Sequence, residues 1–211
     1  MLAGVVTAGF LSACLAIFFA VNGYNWLKAR KSWKEAKFEA EAELPFNLAL
    51  GLAALGTGGF FSESVLYVFF VTAGLEVTIK DASVQLMFPF DSWVQLIGIG
   101  ATAFGYALFL WSVLARGKYA TSWEMPGDQK LVTWGPYRYV RHPSYLAYFI
   151  MFAGLFLLLL NLAALAPLVA VPGYVSVTTV EDEMLRKRFG ETAVEYQNTT
   201  GKFLPRWRRR T

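Results

Sequence analysis

The 211-residue chain contains one cysteine, one histidine and few charged residues, 16% against 56% hydrophobic. Each scarcity excludes something. The lone Cys14 forbids an intramolecular disulfide and any multi-cysteine metal site, and its place inside an apolar run marks it as a structural thiol. No metal site is expected, and no nucleic-acid partner. So little charge leaves too little polar surface to solvate a globule, which excludes the soluble classes. The chain reads as an all-α integral membrane protein of single-domain length, in which the bilayer replaces much of the core that a soluble fold would need. Residues 1–27 lack a basic start and a small-residue cleavage site, so they read as a retained first helix.

What the chain does have is long apolar runs. A bilayer needs about 20 such residues per helix. Runs lie at 2–27, within 44–79, at 91–115, and as a pair at 144–160 and 162–179 divided only by Asn161. The pair suits a tight helical hairpin, with Pro167 and Pro172 kinking its second arm. Residues 44–79, with Glu63 and Gly56-Thr57-Gly58-Gly59, could cross once or twice. Basic residues decide it: all of them except Lys80 fall in 28–37, 116–141 and 186–210. The positive-inside rule puts these three segments on the cytosolic side. About five transmembrane helices follow, with the amino terminus outside, the carboxy terminus cytosolic, and an endoplasmic reticulum or plasma membrane location. The first basic segment, Lys28 to Glu43, also carries four glutamates and reads as a solvated amphipathic helix. Residues 1–115 are then amino-terminal membrane helices, and 116–211 a loop, hairpin and final helix that carry the chemistry within one functional domain.

The polar groups concentrate at Gly135-Pro136-Tyr137-Arg138-Tyr139-Val140-Arg141-His142-Pro143-Ser144-Tyr145, against the start of the hairpin. Cationic groups at the mouth of a buried helical pair are costly unless something uses them. The glycines and prolines of 117–136 break regular structure and give a shaped loop, whose Trp123 and Trp134 read as interfacial aromatics. Pro143 fits the first turn of a helix, which puts His142 at the amino-terminal cap, where the dipole favours an anion and lowers a histidine pKa. After the hairpin comes Glu181-Asp182-Glu183, in which Glu181, Leu185 and Phe189 share a face. Glu181 there needs a cation such as Arg138, Arg141 or a ligand ammonium. Asp182 and Glu183 read as solvated partners of Arg186, Lys187 and Arg188.

At these segments the chain resembles the isoprenylcysteine carboxyl methyltransferases. The resemblance rests on Leu131-Val132-Thr133-x-Gly135-x-Tyr137, Arg141-His142-Pro143-Ser144-Tyr145, Glu181-Asp182-x-x-Leu185-x-x-x-Phe189-Gly190, Glu195-Tyr196 and Thr199 to Pro205. It spans roughly 116–205; the amino-terminal half matches by hydropathy alone. It implies a cytosolic S-adenosylmethionine pocket built from the loop, the hairpin and the final helix. By motif position the cofactor residues are Gln129, Lys130, Leu131, Val132, Tyr137, His142, Pro143, Ser144, Tyr145 and Glu181. Three positions depart from the family pattern: Asp182 replaces a second glutamate, Ser122 stands at an upstream position often glutamine, and Val177 stands where some members carry a substrate arginine.

Methyl transfer from a sulfonium to an ionised carboxylate needs neither a strong base nor a metal. Positioning and desolvation carry the barrier. The expected catalytic residues are Arg138, Arg141 and His142, with Arg138 or Arg141 on the acceptor carboxylate. The implied acceptor is lipophilic and enters from the bilayer, most simply a prenylated cysteine on a protein or peptide. Phospholipid amines and small thiols remain alternatives, as do two other classes: a nicotinamide-dependent membrane reductase and a non-catalytic scaffold whose basic tail binds lipid. Gly98-x-Gly100 with Gly105 has the wrong spacing for a nucleotide fingerprint and reads as helix packing.

Overall fold

The computed structural model describes residues 2–33, 38–40, 48–75, 84–119, 124–126 and 129–206. The main helices are α1 (Gly4–Trp33), α2 (Leu48–Thr72), α3 (Asp91–Arg116), α4 (Pro143–Leu159), α5 (Ala170–Phe189) and α6 (Glu191–Thr199). Gly4–Leu27, α2, α3 and Leu162–Phe189 are each long and apolar enough to cross a membrane, and α4 is a shorter apolar helix. The all-α class and the five apolar helices expected from the sequence are found. The stretch 44–79, ambiguous in the sequence, holds one uninterrupted helix, α2.

Two details differ from expectation. Among the described residues of the first basic segment, expected as one amphipathic helix, α1 continues to Trp33 and Phe38–Ala40 (β1) pairs antiparallel with Glu124–Pro126 (β2); the rest of that segment lies outside the described residues. This small ribbon links the first loop to the third. The hairpin's second arm begins as eight residues of 3-10 helix, Leu162–Val169, before α5. Pro167 lies inside that stretch, where it cannot supply the N–H that an α-helical ladder needs. Asn161 caps the arm, its side chain accepting from Ala163 N at 2.8 Å. Leu160 makes the turn in left-handed backbone, φ 49°. Outside described residues lie Ser122, Trp123, Lys80 and the basic tail 208–210.

Small residues set the closest helix approaches. A Cβ added at Gly98 would meet the Leu157–Leu158 backbone, and one at Gly154 would lie 2.7 Å from Thr102 N. Gly105 packs on Met151 of α4, whereas Gly100 faces open space. This is the packing role expected for Gly98 and Gly105, and it allows α3 and α4 to run against one another along their lengths. Between α2 and α5, Gly56 meets Ala170 and Pro167 O, and Gly173 meets the backbone of Ala49 and Ala53. The core that results is apolar and aromatic: Leu11 and Phe18 of α1, Phe60 of α2, Phe109 of α3, and Met151, Phe152, Leu155 and Leu158 of α4. Gln95 ties the far end by donating to Leu158 O at 2.8 Å. These contacts hold the near ends of α2 to α5 around a common space.

Because Gly154 sits on the Thr102 backbone, Gly154→Val should cost about 1–3 kcal/mol by overpacking. The change is read as a lower melting temperature in detergent, with Gly100→Val as a control that leaves it unmoved.

Candidate active site

The site begins at a local necessity. Proline at the first position of α4 keeps His142 out of the helix, at its cap with φ −123°. The His142 side chain does not cap the helix; it turns instead to α5. Its Nδ1 lies 3.3 Å from Glu181 Oε2 and its Nε2 2.9 Å from Asp182 Oδ1. Both ring nitrogens face carboxylates, so both must donate and the imidazole is held protonated. Burial disfavours that charge, but the hydrogen bonds from Asp182 and Glu181 outweigh it and raise the pKa above the ordinary 6.5. The lowering expected from the helix dipole is thus reversed, because two carboxylates lie closer than the helix end.

Glu181 also accepts from Tyr145 Oη at 2.7 Å. Tyr145 stacks on Tyr174, centroids 4.7 Å apart, and Tyr174 stacks in turn on Tyr148 at 5.5 Å. On the other side Ser144 Oγ lies 3.0 Å from Ser112 Oγ of α3 and 3.4 Å from Tyr137 Oη. Burial raises the pKa of the Tyr137 phenol, so it stays a neutral donor.

Asp182, expected to be solvated, is buried. It receives Arg141 through two bonds, Nε to Oδ1 at 3.2 Å and Nη2 to Oδ2 at 2.9 Å, with Lys202 Nζ at 3.8 Å. Arg141 Nη1 also reaches Gln197 O at 3.0 Å and Thr200 O. The sequence expectation misplaced this acid because it weighed only partners on the same helix; the loop and the carboxy-terminal strap enclose it. Arg141 N and His142 N donate to Gly201 O and Lys202 O at 2.8 and 3.1 Å, and Tyr196 Oη donates to Tyr137 O at 2.7 Å. Glu183 does stay exposed, 3.7 Å from Lys187.

These groups border one cavity of about 580 Å³. Gln129, Lys130, Leu131, Val132, Tyr137, His142, Ser144, Tyr145 and Glu181 all line it; Pro143 is buried behind them. Of the expected catalytic arginines, Arg141 lines the cavity but its fork is engaged by Asp182 and two carbonyls. Arg138 does not line it: it is exposed, its guanidinium 5.2 Å from the Tyr139 ring centroid. The short 3-10 turn Gly135–Arg138 explains this, since burying Tyr137 on one side turns its neighbour outward. Neither arginine is Glu181's partner; His142 is.

Sequence reasoning missed Arg116, Tyr148 and Tyr174, and the α2 wall formed by Leu50, Ala54, Thr57, Gly58 and Phe61. Tyr174 was findable, since it lies two turns before Glu181 on the same face. The α2 wall was not, because nothing in its hydropathy distinguishes a cavity face from a lipid face.

Comparison with known proteins follows this geometry. Residues 93–192, from α3 through the start of α6, match the family model Phospholipid methyltransferase. The protein-S-isoprenylcysteine O-methyltransferase of Tribolium castaneum is 29% identical over 124 residues, covering 54% of this chain and 42% of that protein. The carboxy-terminal half is thus similar to membrane methyltransferases. A solved structure of the eukaryotic intramembrane Ras methyltransferase, isoprenylcysteine carboxyl methyltransferase, superposes with a TM-score of 0.49 at 23% identity, over 77% of this chain and 54% of that one. The chain thus spans about half the length of the methyltransferases it matches.

Removing the charge at Asp182 leaves Arg141 and His142 without their shared anion, so Asp182→Asn should destabilise the fold by about 3–5 kcal/mol, measured as a large drop in melting temperature. His142 contributes stability as the cation, fully present below pH 6.5 and lost as the pH rises through its raised folded value. Wild type should therefore lose melting temperature on moving from weakly acidic to alkaline buffer, and His142→Gln should lose less.

Proposed function

We propose that the protein is a membrane methyltransferase that uses S-adenosylmethionine and methylates the carboxylate of a lipophilic acceptor, most simply a prenylated cysteine. The observation that carries this reading is the convergence of His142, Glu181 and Tyr145 on one cavity with a polar end and an apolar wall.

The residues present fit the cofactor. Glu181 pairs with His142 and accepts from Tyr145, and its carboxylate retains acceptor capacity for an ammonium. Gln129 Oε1 is buried on the cavity border with no hydrogen-bond partner, an acceptor suited to an amino group such as that of adenine. His142 and the backbone around Ser144, at the start of α4, suit a carboxylate. Tyr137 and Tyr145 wall the space. Bound there, S-adenosylmethionine supplies an electrophilic sulfonium methyl, and its transfer to a carboxylate breaks a C–S bond, forms a C–O bond and leaves a thioether and an ester with no proton to move. The chain's part is then to bind, orient and keep out water. Arg141 and Asp182 hold His142 and the strap in place, and Leu50, Ala54 and Phe61 give a lipid tail an apolar path.

The positive-inside pattern supports a cavity at the cytosolic face, with the amino terminus outside and endoplasmic reticulum or plasma membrane as host. A phospholipid amine acceptor is the second reading, favoured by the family whose model matches. The reductase loses its one motif, because Gly98 and Gly105 are occupied in helix packing.

Calorimetry in detergent should show S-adenosylmethionine binding that Glu181→Gln and His142→Ala each weaken at least about 30-fold, on the scale of a lost charge-assisted contact. With labelled donor, N-acetyl-S-farnesylcysteine should accept methyl where phosphatidylethanolamine and a small thiol do not. Unchanged binding in folded Glu181→Gln overturns the reading.

A further inference from the structure

The apolar and the polar walls of the cavity meet at one pair of hydroxyls. Thr57 of α2 and Tyr174 of α5 both line the cavity, and Thr57 Oγ1 lies 2.6 Å from Tyr174 Oη. Each follows a glycine, Gly56 or Gly173, at which the two backbones approach, so the pair sits where the helix spacing is fixed. Packing requires the ring and the branched carbon but not the hydroxyls, since phenylalanine and valine would fill nearly the same space. Both side chains are only partly buried.

Tyr174 also touches the cofactor side. Its ring lies on that of Tyr145, centroids 4.7 Å and planes 27° apart, and Tyr145 Oη donates to Glu181 Oε1 at 2.7 Å. It stacks on Tyr148 as well, at 5.5 Å with planes 7° apart. Packed against two rings, Tyr174 cannot swing without disturbing Tyr145, so whatever fixes the Tyr174 hydroxyl also steadies the donor to Glu181. A continuous chain of contacts thus runs from Thr57, beside the apolar wall, to the acid assigned to the cofactor ammonium.

From this we infer that Tyr174 is a positioning residue that couples the two ligands: an apolar acceptor tail lying against α2 tightens the hold of Glu181 on the cofactor, through the hydrogen bond between Thr57 and Tyr174. This rests on the methyltransferase reading and adds to it a residue and a dependence of one ligand on the other. Where the cavity holds water, water competes for both hydroxyls and their bond gains little. A tail along Leu50, Ala54 and Phe61 displaces that water, and a hydrogen bond in drier surroundings is stronger. The firmer bond holds Tyr174, the stack holds Tyr145, and the Tyr145 hydroxyl stays on Glu181 Oε1, which keeps the carboxylate aimed at the ligand. Linkage makes the effect reciprocal, so the cofactor tightens the acceptor by the same factor.

The test measures S-adenosylhomocysteine affinity of the full-length protein in detergent, with and without saturating N-acetyl-S-farnesylcysteine. The quantity read is the ratio of the two affinities, in which a general weakening of the site cancels. In wild type the acceptor should tighten the cofactor product about fivefold, the scale of one net hydrogen bond. Tyr174→Phe and Thr57→Val should each bring the ratio to within about twofold of unity, the double variant should go no further than either, and Thr57→Ser, which keeps a hydroxyl, should retain most of it. A wild-type ratio of one overturns the inference and leaves the cofactor reading standing. So does a ratio that survives in both single variants, including the case in which they weaken binding equally with and without acceptor, as a merely structural role would. Wild type that binds neither S-adenosylhomocysteine nor S-adenosylmethionine overturns the methyltransferase reading itself. Melting temperatures of the variants close to wild type separate these outcomes from misfolding.

Discussion

The arrangement depends on a protonated imidazole held between two carboxylates that are neighbours in sequence. His142 touches Glu181 with one ring nitrogen and Asp182 with the other, while Arg141 grips Asp182 from the far side. Two acids and two cations out of water are tolerable only as a complete set, since losing any member leaves an uncompensated buried charge. That condition fixes where α5 leaves the apolar layer relative to where α4 enters it. It also recruits the carboxy-terminal segment, because the remaining donors of Arg141 need the carbonyls of Gln197 and Thr200. The cavity is therefore as rigid on its polar side as an ion network can make it.

The opposite side is built by a different force. One hydrogen bond, between Thr57 Oγ1 and Tyr174 Oη at 2.6 Å, links α2 to α5, but close packing does most of the work: Gly56 and Gly173 allow the two backbones to approach, as Gly98 and Gly154 do for α3 and α4. Close packing near one end and aromatic side chains around the rest leave a space with one ionic wall and one greasy wall. Such a space can hold a charged small molecule and a lipid tail together, which is what methyl transfer to a membrane-borne acid requires. The cavity lining draws on both stretches of the chain, with Phe61 and Phe109 from the amino-terminal helices beside Tyr137, His142 and Glu181.

The sequence made the outline of this legible. Apolar run length gave the helices, and Asn161 the hairpin turn, because both follow from bilayer thickness and local capping. Proline after His142 gave the cap position. The proximity of His142 and Glu181 was implied by the resemblance. What stayed hidden was pairing across segments far apart in the chain. Asp182 looked solvated because its cation, Arg141, lies 41 residues away. Arg116 looked like an ordinary flanking basic residue because hydropathy cannot tell a cavity from a headgroup layer. Tyr174 was hidden among apolar neighbours although its spacing from Glu181 placed it on the site face. In each case the missing information was which helix faces which.

The most direct measurement of the central claim is a double-mutant cycle between His142→Gln and Glu181→Gln on S-adenosylmethionine affinity in detergent. If the two side chains act as one unit around the ligand, their effects should be strongly non-additive, with a coupling above about 1 kcal/mol. Effects that add within about 0.5 kcal/mol would show the two residues acting independently and would contradict the account.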